Sequence, residues 1–336
     1  MPDNIHCPDD ASGQRICFVL GILHRSGTNY IYKLLKDHPD CVAPGPITED
    51  FLMHHSDMLK NYADSVYGKW NPNWEVEKKI GPPETLIKHM GHALGEFLKL
   101  QTKKSTASSG SPEQPTTKRE RPAILLTKTP SVRGIENFFD LFPNDHLIVI
   151  IRDGRALVES GVRSFDWDYE SAMRRWTTNA QAILDLKEKC QGSNQKLLII
   201  KYENLFQNEK EELSKIFNFL DLDATLFDFD HAKSLGVIGS SDIKKTGAAV
   251  HWDTNKKSKD FNPLARFSNW DRKKHNRFNW IAGSCMSELE YEIEDTHGNQ
   301  YVYTLQNKIL DAVWRCKELF SKFAKLMRLV GASGRF

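Results

Sequence analysis

The sequence predicts an α/β fold on a doubly wound parallel sheet, and three observations carry that expectation. Short β-branched apolar runs alternate with amphipathic stretches, the runs are continuously apolar, and a glycine-bearing loop joins the first run to a helical pattern. Continuous apolar strands are those buried on both faces of a parallel sheet. Strand and helix in alternation give the doubly wound topology, with its ligand cleft beyond the carboxyl ends of the strands.

The predicted strands are Ile16 to Leu23 (ICFVLGIL), Ala123 to Thr127 (AILLT), Leu147 to Ile151 (LIVII) and Lys196 to Lys201 (KLLIIK). Helices are expected over Asn29 to Asp37, Gly134 to Phe142, Ala156 to Ser164 and Glu209 to Leu220. Residues 1–15 read as a flexible tail and 16–300 as the α/β domain. The segment 101–121 (QTKKSTASSGSPEQPTTKRER) reads as a disordered insertion, because it lacks apolar anchors. After residue 235 the chain turns polar, then helical near Asp271 to Glu294 and Gln306 to Leu329. The last stretch is a C-terminal amphipathic helix (301–336). Ile309, Val313, Phe320, Phe323, Met327 and Val330 recur on it at helical spacing and are expected to pack on the domain, although a basic amphipathic helix also suits a membrane surface.

Composition excludes several classes. In 336 residues, 46 Lys and Arg face 44 Asp and Glu, so no surface-wide basic field for nucleic acid exists. No apolar run reaches the roughly 18 to 20 residues of a transmembrane helix, and the polar, acidic N-terminal stretch is unlike a signal peptide; a cytoplasmic protein is expected. The six cysteines lie far apart, without zinc spacing, and read as thiols. Nothing in the sequence sets an oligomeric state.

Two anion sites are legible. Gly21-Ile-Leu-His24-Arg25-Ser26-Gly27-Thr28-Asn29 lies between a strand and a helix, where glycine permits close backbone approach and exposed N–H groups and the helix dipole favour a phosphate. Five residues separate the glycines and no Lys precedes Thr28, so the loop is not the ATP-binding pattern G-x-x-x-x-G-K-[ST]. Arg25 is its cation. After the third strand, Arg152-Asp-Gly-Arg-Ala-Leu-Val-Glu-Ser160 puts an Arg at the strand end and a hydroxyl two turns into the next helix, which suits a second phosphate. Together they describe a nucleotide with separated phosphates. Arg152→Ala is then expected to weaken a nucleotide that carries both phosphates while leaving one without the second phosphate almost unaffected.

With these motifs the sequence resembles sulfotransferases that use 3′-phosphoadenosine 5′-phosphosulfate. HRSGTN is similar to their P-loop-like 5′-phosphosulfate loop and VIIRDGRALVES to their 3′-phosphate motif; Lys128-Thr-Pro and Lys201-Tyr202-Glu-Asn-Leu add to the match. Arg25, Lys-x-Pro and RDGRA most resemble the branch of protein-tyrosine sulfotransferases and related bacterial enzymes. The resemblance covers about residues 16 to 221. It implies that Arg25 meets the sulfuryl end, that Ser26, Gly27, Thr28 and Asn29 hold the 5′-phosphate, and that Lys128 is a catalytic lysine near the bridging oxygen. It further implies that Arg152 and Ser160 bind the 3′-phosphate, that Tyr202 contacts the nucleotide, and that Ser240 or Ser241 touches the leaving group, although GSSDIKKTG departs from the family pattern there.

Sulfuryl transfer, like phosphoryl transfer, gathers charge on the bridging oxygen in a loose in-line transition state, which a cation stabilises; no metal is demanded. The acceptor hydroxyl needs a base. Glu49, in Pro44-Gly-Pro-Ile-Thr-Glu-Asp50, is the choice by resemblance to the tyrosine-sulfating enzymes, with Asp50, His54 and His55 as rivals. Glu49 also reads as a carboxylate at a helix N-terminus. His24 reads as polar filler or a substrate contact, and Trp252, Trp270 and Trp280 as packing or an acceptor pocket. A soluble metabolite or carbohydrate is the expected acceptor. A small-molecule kinase with a modified P-loop and a non-catalytic nucleotide-binding protein are the alternatives.

Overall fold

The computed structural model describes residues 13–108, 124–235, 237–238, 254–255, 264–296 and 298–333. The chain divides into two compact units, one ending at Phe267 and one beginning at Ser268. In the first, β1 (Ile16–Gly21) leads to α1 (Thr28–Lys36) and a two-residue strand, β2 (Cys41–Val42). Helices α2 (Ser56–Tyr67), α3 (Val76–Lys79) and α4 (Pro83–Ser108) precede β3 (Ile124–Thr129). Then come α5 (Phe138–Leu141), β4 (His146–Ile151), α6 (Gly154–Phe165), α7 (Tyr169–Cys190) and β5 (Lys196–Lys201). The unit continues with α8 (Tyr202–Gln207), α9 (Glu209–Leu220), α10 (Phe229–Ser234) and an antiparallel pair, β6 (Val237–Ile238) and β7 (Thr254–Asn255).

The five-stranded sheet is parallel, in the order β2-β3-β1-β4-β5. The chain winds from β1 outward to β2 and β3 on one side, then crosses to β4 and β5 on the other. The winding reverses at β1, and the carboxyl ends of β3, β1 and β4 stand side by side there, where a doubly wound sheet holds its ligand. Val19 pairs with Lys128 on one flank and with Ile148 on the other.

Side-chain alternation loads both sheet faces. Cys17, Val19, Ile148 and Ile150 pack against Ile31, Leu34 and Leu35 of α1 and Leu213 and Phe217 of α9. On the other face Phe18 meets Phe138 and Phe142, with ring centroids 5.2 and 4.5 Å away. The expectation that all four predicted strands are buried on both faces fails for β5, which lies at the sheet edge with only Ile200 fully buried.

Other differences have local causes. β1 ends at Gly21, not Leu23, because the chain must turn there into the loop. The helix expected over 134–142 is a 3-10 turn (Ile135–Asn137) followed by the one-turn α5. β2, α2, α4 and α7 were not expected: β2 is too short to show a period, and α4 and α7 are polar over much of their length. The segment expected to be disordered from residue 101 begins as helix, since α4 continues to Ser108; after Gly95 no Gly or Pro occurs before Gly110. Residues 109–121 lie outside the described ones.

The second unit holds α11 (Arg272–Glu288) and α12 (Gln300–Ser333). On α12, Ile309, Val313, Phe320, Phe323 and Met327 are exposed. Within this unit α12 meets α11 through its polar side, where Arg277 of α11 reaches Asn307 and Asp311. Trp270 is buried against His275 and Phe278, a packing role, whereas Trp280 donates to Asp311. Trp252 lies outside the described residues. Among those residues no helix is long and apolar enough to cross a membrane, and Cys17, Cys41, Cys190, Cys285 and Cys316 form no disulfide.

Candidate active site

The loop between β1 and α1 is shaped by its two glycines. A Cβ on Gly21 would lie 2.2 Å from Ser26 Oγ, and one on Gly27, at φ 103°, would lie 2.3 Å from the Tyr202 ring. Arg25 holds a left-handed φ of 75°, which non-glycine residues adopt at a cost and which recurs at binding loops. Ser26 N–H closes the turn on Leu23 O at 3.2 Å, and Asn179 Nδ2 on α7 donates to Ile22 O at 2.5 Å. The N–H groups at the start of α1 open the helix toward this loop, with Thr28 as its first residue.

The second motif meets the first directly. Arg152, at the end of β4, donates from Nη1 to Arg25 O at 2.7 Å, and its guanidinium stands 4.8 Å over the Tyr202 ring. Arg25 Nε donates to Ser160 Oγ at 3.2 Å. Arg152, Ser160 and Tyr202 are buried. Asp153 caps α6 and binds Arg155 through both carboxylate oxygens, so the second Arg of the motif is a structural partner. Trp176 Nε1 donates to Arg152 O, and Glu203 accepts from Asp153 N–H, with its carboxyl pushed up by burial.

The cradle is electropositive. Burial, then the charges of Arg152 and Arg266, bring Arg25 down to about 10, still a cation at neutral pH. Arg266 therefore belongs to the same cluster. No motif marks Arg266 in its polar stretch, and nothing in an amphipathic helix marks Asn179 as a loop brace. Ser26 Oγ is fully buried without a hydrogen-bond partner. A buried hydroxyl left unsatisfied costs about 1–3 kcal/mol, and a phosphate oxygen in the cradle would satisfy it. These residues fit a nucleotide bearing two phosphates.

Beside the loop, at the end of β3, Lys128 Nζ lies 2.9 Å from Glu49 Oε1; Lys128 is buried and Glu49 is a quarter exposed. The segment carrying Glu49 is pinned to the strand by the threonines flanking Lys128. Thr127 Oγ1 donates to Asp50 Oδ2 at 2.6 Å, Phe51 N–H donates to Thr129 Oγ1 at 3.0 Å, and Asp50 N–H donates to Lys128 O at 3.2 Å. Asp50 also accepts from Leu52 N–H, and burial raises its pKa. Of the two carboxylates, Asp50 is thus occupied as an anchor and Glu49 faces the lysine.

The pKa of His24 is lowered, first by desolvation, and the charges of Glu49, Arg175, Arg25 and Lys128 reach it. It therefore borders the site. His54 packs against Phe51 and His55, with its pKa lowered chiefly by burial. A cavity of about 890 Å³ opens on the Glu49–Lys128 pair, lined also by Tyr32, Lys33 and Lys36 of α1 and Thr102 of α4. Ser240 and Ser241 lie outside the described residues. Among the described residues no group of three or more His, Cys, Asp or Glu is arranged to hold a metal ion.

Comparison with known proteins adds the family. The model of the Sulfotransferase family matches residues 17–226. A Drosophila melanogaster protein-tyrosine sulfotransferase is 26% identical over 214 residues, which are 60% of this chain and 37% of that protein. Protein-tyrosine sulfotransferase A of Caenorhabditis elegans is 32% identical over 112 residues, 31% of this chain and 29% of that protein. The chain thus spans well under two thirds of these relatives. Among solved structures, the sulfotransferase domain of the Synechococcus PCC 7002 olefin synthase is 18% identical with a TM-score of 0.48, covering 86% of this chain and 99% of that one. A mouse sulfotransferase complexed with PAP is 14% identical with a TM-score of 0.39, covering 90% of each chain.

Proposed function

Because the chain belongs to the sulfotransferase family, we propose that it moves a sulfuryl group from 3′-phosphoadenosine 5′-phosphosulfate to an acceptor hydroxyl. The observation that carries the reading is the 2.9 Å contact between Lys128 and Glu49 at the mouth of the cavity, beside a cradle where Arg25, Arg152 and Ser160 are hydrogen-bonded to one another. A base for the acceptor and a cation for the leaving group are both needed, and they stand together.

In this reading the acceptor oxygen bonds to sulfur as the bridging S–O bond breaks. Glu49 takes the hydroxyl proton. Lys128 and Arg25 meet the charge that collects on the departing phosphate oxygen and on the sulfuryl group, stabilising the transition state more than the ground state. Arg152 and Ser160 hold the 3′-phosphate, and Ser26 with the first N–H groups of α1 holds the 5′-phosphate. Arg266 adds to the positive field.

For the acceptor, two relatives named as protein-tyrosine sulfotransferases favour a tyrosyl hydroxyl over the metabolite or carbohydrate expected from the sequence. Lys33 and Lys36 line the cavity and favour an acceptor carrying negative charge. The test is transfer from labelled donor to a panel of tyrosyl peptides, carbohydrates and phenols, read by mass spectrometry, in wild type, Glu49→Gln and Lys128→Ala. Glu49→Gln should lower turnover by about 10²- to 10⁴-fold and Lys128→Ala by roughly 100-fold or more, with nucleotide binding retained. Near-normal turnover in folded Lys128→Ala would remove it from the mechanism, and Mg²⁺-dependent ATP turnover in place of sulfuryl transfer would replace the reading with a kinase.

A further inference from the structure

Helix α12 has 34 residues and is about 51 Å long at 1.5 Å per residue. Its polar side is the docked one. Arg277 Nη1 donates to Asn307 Oδ1 at 3.0 Å and Arg277 Nη2 to Asp311 Oδ1 at 2.7 Å; Trp280 Nε1 donates to Asp311 Oδ2 at 2.9 Å, and Asn307 Nδ2 to Asn276 Oδ1 at 2.7 Å. Residues 303, 304, 307, 311 and 314, the less exposed positions of residues 301–324, form one stripe on that side.

At about 100° per residue, Val302, Leu305, Ile309, Val313, Phe320 and Phe323 fall on the opposite side, in an arc of roughly 80°. All are exposed, Phe320 to 75% and Phe323 to 62%. By the same spacing, Lys308 and Arg315 lie toward one edge of the arc and Lys317 toward the other, while Lys322 falls on the docked side. Asp311 is committed to Arg277, and Glu318 falls on the docked side. The result is an apolar strip with two cationic rims.

We propose that this face lies in the plane of an anionic lipid surface. The strip would enter the boundary between headgroups and acyl chains, while the lysine and arginine stems run along it and set their charges among the phosphates. The charges argue against a second copy as the occupant. Face-to-face pairing of two such helices, parallel or antiparallel, sets one cationic rim against another, with no acidic residue on either to compensate. Among the described residues no helix can cross the bilayer, so the mode is adsorption.

The experiment uses the whole chain and sucrose-loaded vesicles containing about 30% phosphatidylserine in phosphatidylcholine, against pure phosphatidylcholine, at low salt. Each basic residue near an anionic surface contributes about five-fold to binding. The protein should sediment with the anionic vesicles and bind pure phosphatidylcholine at least 20-fold more weakly, and raising the salt should release it. Phe320→Glu with Phe323→Glu should abolish binding, and neutralising Lys308, Arg315 and Lys317 to Gln should lower it about 100-fold. Both sets change exposed residues, and circular dichroism with bisphosphate titration verifies the fold. Absence of wild-type binding, or binding unchanged by the double glutamate variant, overturns the proposal. A concentration-dependent dimer in sedimentation velocity that the double variant abolishes, without vesicle binding, overturns it in favour of a self-interface.

Discussion

Replacing Arg152 with alanine should weaken two nucleotides by different factors, and the ratio reports what Arg152 does. On sequence grounds the variant spares 5′-AMP. The structure alters that expectation, because Arg152 also donates to the carbonyl of Arg25 at 2.7 Å and stands over the Tyr202 ring that packs on Gly27. A charge-assisted hydrogen bond to the 3′-phosphate is worth about 1.5–3 kcal/mol, roughly 10- to 150-fold, and is lost for the bisphosphate alone. Loosening the loop removes about one further net hydrogen bond, about five-fold, from both nucleotides. Arg152→Ala should therefore cost adenosine 3′,5′-bisphosphate roughly 50-fold or more and 5′-AMP about five-fold. Ser160→Ala leaves the Arg152–Arg25 brace in place and should cost the bisphosphate about 5- to 10-fold with 5′-AMP unchanged. Calorimetric titration of both nucleotides into wild type and the two variants measures each factor. An equal loss for both nucleotides in Arg152→Ala, with no loss in Ser160→Ala, would refute the 3′-phosphate assignment and leave Arg152 as a loop brace.

Three further outcomes follow from the geometry. Asp50→Ala orphans the Thr127 hydroxyl and Leu52 N–H and should lower unfolding stability by about 2–4 kcal/mol in thermal or denaturant melts, whereas Glu49→Gln should leave stability nearly unchanged. Gly27→Ala, at a left-handed φ with the Tyr202 ring 2.3 Å from the new Cβ, should cost about 1–3 kcal/mol and most bisphosphate affinity, read by melting and by calorimetry. Burial holds His146 down to about 4, and both its ring nitrogens are buried without hydrogen-bond partners. Its folded pKa lies below the ordinary 6.5, so the unfolded chain takes up the proton first and stability falls as pH drops from about 6.5 toward 4, by about 3 kcal/mol in all. His146→Leu should flatten that part of the pH–stability curve; an unchanged slope would show that the ring is not held neutral.

The sequence by itself determined the order of the sheet-forming runs, because Phe18 to Leu20, Leu147 to Ile151 and their counterparts are apolar at every position, a pattern that only a doubly covered strand supports. It also determined both anion loops, since glycine spacing and an Arg at a strand end are local properties that backbone sterics and helix dipoles make legible without a partner. Only the tertiary structure decided what long-range contacts decide. Glu49 and Asp50 are neighbours in sequence with the same chemistry, and it is Thr127, on a strand 77 residues away, that takes Asp50 and leaves Glu49 to Lys128. Arg266, whose charge reaches Arg25, comes from a stretch with no periodic signal. The amphipathic period of α12 was visible in the sequence, but the direction in which it faces was not: a period places residues on one side of a helix, and the partner, here Arg277 gripping the polar side, decides which side is covered.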